Sequence, residues 1–247
     1  MNDMSLVPEK LGIAAIGQAL AAGWRTARHS RRVSFLYAGA VALAGLAVER
    51  TLLNAGLAPL AILAAGAFML LAPMLLVGFF GIAGAVEKGR IGGLNDLFDG
   101  FRRAHPGILA LSLVCALLFM IFATDVAVLY SYKVGGTAVL PRELLRPTDN
   151  ITAFLWWGAL SGIFLGFIVF AITAFSVPLL WERRAGLVGA VSASVRGVFR
   201  NFPLAIAWAA LLTLATMASV LILPLLPFTL PPLAYASHAL YRQVFPT

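Results

Sequence analysis

Three stretches of this chain, Leu57 to Val86, Ile151 to Trp181 and Phe202 to Leu240, hold 30, 31 and 39 residues without a single Lys, Arg, Asp or Glu. Soluble helices and strands interrupt their apolar residues with charge on a solvent face, so runs of this length fit only the hydrocarbon of a bilayer. There the backbone finds no water to bond, and each N–H and C=O must be satisfied within the segment or a closed barrel. The lengths suit helices, and the sequence predicts an all-α, polytopic membrane helix bundle. The gaps between the apolar runs are too short for a second core, so residues 1–247 are expected to form a single integral membrane domain.

A hydrocarbon core of roughly 30 Å takes about 20 helical residues at about 1.5 Å each. On that measure six spans are expected, at about 33–53, 57–86, 107–124, 151–181, 202–222 and 226–241. The second and fourth are too long for one perpendicular crossing and too short for two. They predict tilted helices whose ends project past the bilayer, the second kinked at Pro73 and the fourth with Pro178 near its end. The last run divides at a turn around Pro224 to Pro227, and Pro231 with Pro232 kinks or delays the final helix; a single span plus a re-entrant segment is the alternative. Tyr132 to Asn150, with two Gly and two Pro, reads as an irregular surface loop.

Between the runs one plan recurs. Glu87 to Pro106 reads EKGRIGGLNDLFDGFRRAHP, Glu182 to Pro203 reads ERRAGLVGAVSASVRGVFRNFP, and Glu9 to His29 is a fainter copy. Each unit is a charged entry, a short amphipathic helix, a glycine (Gly23, Gly100 and Gly197) and a basic exit. In the first helix, about 10–28, Ile13, Ile16, Leu20 and Trp24 recur at spacings of three and four. In the central one Ile91, Leu94, Leu97, Phe98 and Phe101 make an apolar face, opposite Asn95, Asp96, Asp99 and Arg103. Such periodicity predicts helices lying in the membrane surface, with Trp24, Leu94, Phe98 and Phe101 in lipid and Arg102 and Arg103 at the headgroups. The rival reading packs the central helix on a soluble core of its own protein, and the sequence offers no such core.

The net charge of +8 would point to nucleic acid in a soluble chain. Here the basic residues sit at the ends of apolar runs, so anionic lipid is the expected partner, and no nucleic acid. Fourteen of the eighteen Lys and Arg fall on the side of the termini and the three amphipathic units, leaving Arg50, Lys133, Arg142 and Arg146 opposite. This bias predicts both termini in the cytoplasm. The single cysteine, Cys115, rules out an intrachain disulfide.

Residues Ser176 to Pro203, with Val177, Pro178, Leu180, Glu182, Arg183, Ala190, Ser194, Asn201 and Pro203, resemble the bacterial predicted integral membrane proteins grouped as domain of unknown function 2189. The stretch APMLLVGFFGIAGAVEKG, with Pro73, Gly78, Glu87 and Gly89, is similar to the family's earlier span. That family typically ends in a His-rich helix followed by Tyr-Arg; here Tyr241 and Arg242 follow a helix with His238 alone. The resemblance implies a bacterial inner-membrane protein of about six spans and implies no known activity.

Little in the chain suggests catalysis. His29, His105 and His238 are all its histidines, too few for a haem or copper core of respiratory-oxidase type, though not for an accessory subunit of such a complex. Neither a phosphate loop nor H-E-x-x-H nor G-x-S-x-G occurs, so no catalytic, cofactor or metal residues are assigned. Asp125, at a span end, and His238, within the bundle, are the candidate functional polar residues. Gly158, Gly162 and Gly166 form a small-xxx-small stripe that admits a close-packed helix, internal or from a partner, with the tightest approach expected at Gly162. These features suggest a non-enzymatic scaffold or accessory subunit of a membrane complex, or a homo-oligomer. The alternative is a small-solute transporter or channel, a class built from internal repeats and Pro-broken helices.

Overall fold

A computed structural model of the chain describes residues 6–54, 58–134 and 149–246. Its helices are α1 (Ala14–His29), α2 (Arg31–Asn54), α3 (Ala58–Glu87), α4 (Leu94–Arg103) and α5 (Pro106–Val134). They continue as α6 (Asp149–Thr173), α7 (Ser176–Trp181), α8 (Leu187–Arg200), α9 (Phe202–Leu221) and α10 (Leu226–Val244). A 3₁₀ turn, Leu223–Leu225, joins the last two where the prolines place it. The protein is an all-α membrane helix bundle. Three stretches are long and apolar enough to cross a bilayer, α5, the 151–181 run and α9, and the described apolar part of α3 is Ala72–Glu87. That measure counts only described residues and does not include α2 or α10, so the expected six crossings are matched as helices rather than as a span count.

Two boundaries differ from expectation. The third apolar helix does not stop near residue 124. It continues to Val134, because Asp125, exposed, and Lys133, half-buried, can sit on the helix surface without breaking the backbone ladder. Asp125 therefore lies inside α5 and not at its end, and the helix takes in the first residues of the expected loop; 135–148 fall outside the described residues.

The 151–181 run breaks at Ala174 and Phe175, four residues before Pro178. A proline ring clashes with the carbonyl four positions earlier, here that of Ala174. Ser194 of α8 fills the opened rung: its hydroxyl donates to Ala171 O (2.8 Å) and accepts from Phe175 N–H (3.1 Å). A side chain inserted into the ladder turns the end of a long apolar helix into the separate helix α7.

The glycine shared by the three amphipathic helices has a common use. A Cβ at Gly100 would stand 2.5 Å from Val77 O of α3, and one at Gly23 2.6 Å from Ala236 N of α10. At Gly197 it would press on Phe175 and Phe245, at 3.1 and 3.3 Å. Thus α4 packs on α3, the helix before it in the chain, and α8 packs on the α6–α7 break. The first of the three, α1, packs on α10, far along the chain. Ala15, Ile16 and Ala19 bury themselves there against Leu204, Trp208, Ala236 and Leu240.

The apolar face of α4 is divided. Leu97 is buried against α3, whereas Ile91, Leu94, Phe98 and Phe101 are exposed, as is Trp24 on α1. Arg102 and Arg103 are exposed too. The apolar face is split because Gly78, Gly81 and Gly100 let α4 approach α3 closely enough to bury Leu97 and the Asp96 side of the helix. On α6 the tight approach expected at Gly162 is not found. A Cβ there would meet Phe122 of α5 at an ordinary 3.4 Å, and Gly158 and Gly166 face open space within 4 Å. An aromatic ring reaching across from α5 holds the two backbones apart at this level.

Candidate functional site

The polar residues that matter most lie where α3, α7 and α10 end. Two of these helices close with the same motif. Arg90 N–H reaches back to Ala85 O (3.0 Å) with Gly89 at φ +72°, and Arg184 N–H reaches Leu179 O (3.0 Å) with Arg183 at φ +57°. These are left-handed C-caps with a six-to-one hydrogen bond, a local solution for a helix that must stop abruptly. The caps deliver Glu87 and Glu182 to one place.

The third contributor is α10, which presents His238, Tyr241 and Arg242 at spacings of three and four, hence on one face. His238 is 2% exposed, and each ring nitrogen faces a carboxylate: Nδ1 lies 3.5 Å from Glu87 Oε1 and Nε2 3.4 Å from Glu182 Oε1. Arg242 Nη2 spans both acids, 3.2 Å from Glu87 Oε2 and 3.0 Å from Glu182 Oε1. Tyr241 donates its hydroxyl to Glu182 Oε2 at 2.7 Å. Arg184 then donates to the Tyr241 oxygen (3.2 Å) and to the backbone carbonyls of Phe245 (2.7 Å) and Pro246 (2.9 Å). Phe80, Trp181 and Tyr241 surround the imidazole with ring centroids 5.0 to 6.0 Å away.

The electrostatics of Glu182 follow from this setting. Burial alone would raise its pKa, but the imidazole of His238 3.4 Å away, the hydrogen bond from Tyr241 and the charge of Arg242 outweigh it, and the carboxyl is held below its ordinary range. A neutral imidazole can donate to only one of the two acids, and an imidazolium to both. The Arg242 guanidinium bridges the two carboxylates.

A cavity of about 170 Å³ opens beside the cluster. It is lined by Glu87, Glu182 and Arg242 on one side, by Asp96, Asp99 and Arg103 of α4 on another, and by Gly81, Gly84 and Gly100 where the helices approach. Asp96 is paired with Arg90 at 2.9 Å and accepts from Gly93 N–H at 2.9 Å, closing the start of α4. The polar face of α4 therefore looks into the protein as well as outward.

Of the candidate polar residues, His238 stands at the centre of this site. Asp125 is exposed on α5 and takes no part in it. The acids and Arg242 were visible in the sequence as charges at the ends of apolar runs, and that position reads equally well as contact with headgroups. The missing signal is α10 itself, whose His238, Tyr241 and Arg242 share a face that becomes meaningful only when α3 and α7 end beside it.

Helices of spanning length, amphipathic helices seated by glycine and a buried ionic cluster at the helix ends define an integral membrane protein of the helix-bundle class. Within that class residues 60–182, about half the chain, match the family described as predicted integral membrane protein, domain of unknown function 2189, and the chain belongs to it. The match contains Glu87 and ends at Glu182; Ala190 to Pro203, where the resemblance was also read, lies beyond it, as do His238 and Arg242. No curated protein and no solved structure matches the chain.

Proposed function

We propose that this protein is a non-enzymatic bacterial inner-membrane scaffold or accessory subunit, multi-pass with both termini cytoplasmic, that holds α1, α4 and α8 as a platform on the inner leaflet for lipid and a membrane-protein partner. The observation that carries this reading is the Glu87–His238–Glu182–Arg242 cluster, which ties three helix ends distant in sequence at the level of that platform. Ion pairs of this kind hold geometry, and a substrate would have to displace them. The open positions Gly158 and Gly166 on α6 leave room for a partner helix. The clustering of basic residues on one side supports the orientation.

The test is gentle purification followed by mass spectrometry of co-purifying proteins and lipids. A stoichiometric membrane-protein partner, lost when Gly158→Leu blocks the open stripe, supports the scaffold. The second reading, a small-solute transporter or channel, is favoured by the 170 Å³ cavity with charges of both signs beside the broken α6–α7 helix. A solitary protein that moves a solute into liposomes, and stops doing so in Glu182→Gln, would establish that reading and remove the first.

A further inference from the structure

The junction of α1 and α2 faces the proline-rich start of α10 across a groove of about 680 Å³. That volume falls within the roughly 300–1,000 Å³ of sites that hold small molecules. Its walls are apolar: Trp24 from α1, Phe35 and Leu36 from α2, Pro227 and Phe228 from α10. Phe35 and Phe228 meet edge to face at 5.1 Å and shape its lining. Pro227, Pro231 and Pro232 bring no backbone N–H, so this stretch of α10 presents few donors to whatever lies against it.

Arg28, Arg31 and Arg32 line the same groove. Arg31 and Arg32 follow Arg28 by three and four residues; all three are exposed, and none makes an ion pair with any described residue. Arg90, Arg102 and Arg242, by contrast, each face a carboxylate. Three unpaired guanidiniums lining one groove repel one another, and an anion among them relieves that repulsion. An apolar trough that opens on such a triplet is complementary to a ligand with a phosphate at one end and hydrocarbon at the other.

We propose that this groove is a binding site for one anionic phospholipid, its phosphate held by Arg28, Arg31 and Arg32 and an acyl chain laid against Trp24, Phe35 and Phe228. The site rests on the interfacial placement of α1 proposed above and goes beyond it: a surface helix merely touches bulk lipid, whereas this groove retains a single molecule and selects its headgroup.

Native mass spectrometry of the full-length protein in a neutral detergent, titrated with dioleoyl phosphatidylglycerol or dioleoyl phosphatidylcholine, tests it. One phosphatidylglycerol should be retained in preference to phosphatidylcholine. Each Arg→Gln change should weaken its binding about fivefold and the triple change on the order of a hundredfold, from the contribution of one cation near an anionic headgroup. Arg50→Gln, an exposed cation near the far end of α2, is the charge control and should have no effect. Phe228→Ser should weaken phosphatidylglycerol and leave glycerol phosphate, which has no acyl chain, unaffected. Because the arginines are exposed and unpaired, single variants are expected to fold, and an unchanged circular-dichroism melt checks this. Equal retention of the two lipids by the wild-type protein would overturn the proposal. So would binding of glycerol phosphate as tight as that of the lipid, or an equal loss in Arg50→Gln. Binding in detergent is blind to sidedness, so reporter fusions that place Lys10 on the far side would sink the inner-leaflet, cytoplasmic part of the proposed function and leave this result standing.

Discussion

At the scale of the residue, the two acids of the cluster are not equal. The Glu182 side chain is 10% exposed and that of Glu87 46% exposed, so the same charge is worth more in the first position. Glu182→Gln leaves Arg242 and His238 short of a buried partner and weakens a charge-assisted bond from Tyr241, and is expected to cost about 2–3 kcal/mol. Glu87→Gln is expected to cost under about 1 kcal/mol. Thermal melts in detergent would rank them, and equal losses would contradict the burial argument. The Glu182 carboxyl is held below its ordinary range when folded, so the unfolded chain takes up its proton at higher pH. Its stabilising effect is therefore complete above the ordinary carboxylate range and is lost as the pH falls through the lowered value. Melting temperature measured from neutral to acid pH should fall less steeply in Glu182→Gln than in the wild-type protein. One residue away the opposite change should help. Arg183 is exposed and held at φ +57°, the position that Gly89 takes in the first copy of the cap at +72°. Arg183→Gly relieves a left-handed side-chain clash and is expected to stabilise by about 1 kcal/mol, read as a higher melting temperature.

At the scale of the element, glycine decides which helices touch. The sequence displays two patterns of it, a stripe on α6 and single residues in the amphipathic units. The stripe is the stronger motif by spacing, but Phe122 props it open. The single glycines carry the close approaches because each lies on the face of a short helix that meets another backbone. Gly100→Ala would force α4 from α3 at Val77 and is expected to cost about 1–3 kcal/mol, as overpacking does. Gly158→Ala enters open space, and with alanine's better helix propensity it should leave stability of the isolated protein unchanged or up to about 1 kcal/mol higher. A melting-temperature comparison of the two in the same detergent checks the assignment; a larger loss in Gly158→Ala would reverse it. The α6–α7 break has a similar logic. Pro178 was legible as a disturbance, but the exchange of a backbone hydrogen bond for the Ser194 hydroxyl depends on α8 returning to that place.

At the scale of the whole molecule, the amphipathic helices and the ionic cluster lie among the helix ends gathered around α10, which packs on α1 through Gly23 and faces Glu87 and Glu182. On the proposed orientation, an alkaline phosphatase fusion after Lys133 should be active and one at Thr247 inactive, with a fluorescent reporter showing the reverse. Activity at Thr247 would contradict cytoplasmic termini. Composition and run length determined by themselves that the chain is a helical membrane bundle, because a charge-free run of about 30 residues has no other stable solvent. The recurring Gly and basic exit likewise revealed three related amphipathic units and most helix boundaries near them, since caps and periodicity are local properties. Tertiary structure alone decided that α1 closes on α10, that the α6 stripe stays open, and that Glu87, Glu182, His238 and Arg242 form one site. Those outcomes depend on contacts such as that of Gly23 with Ala236, 213 positions apart, and charges at helix ends look the same in sequence whether they face lipid headgroups or one another.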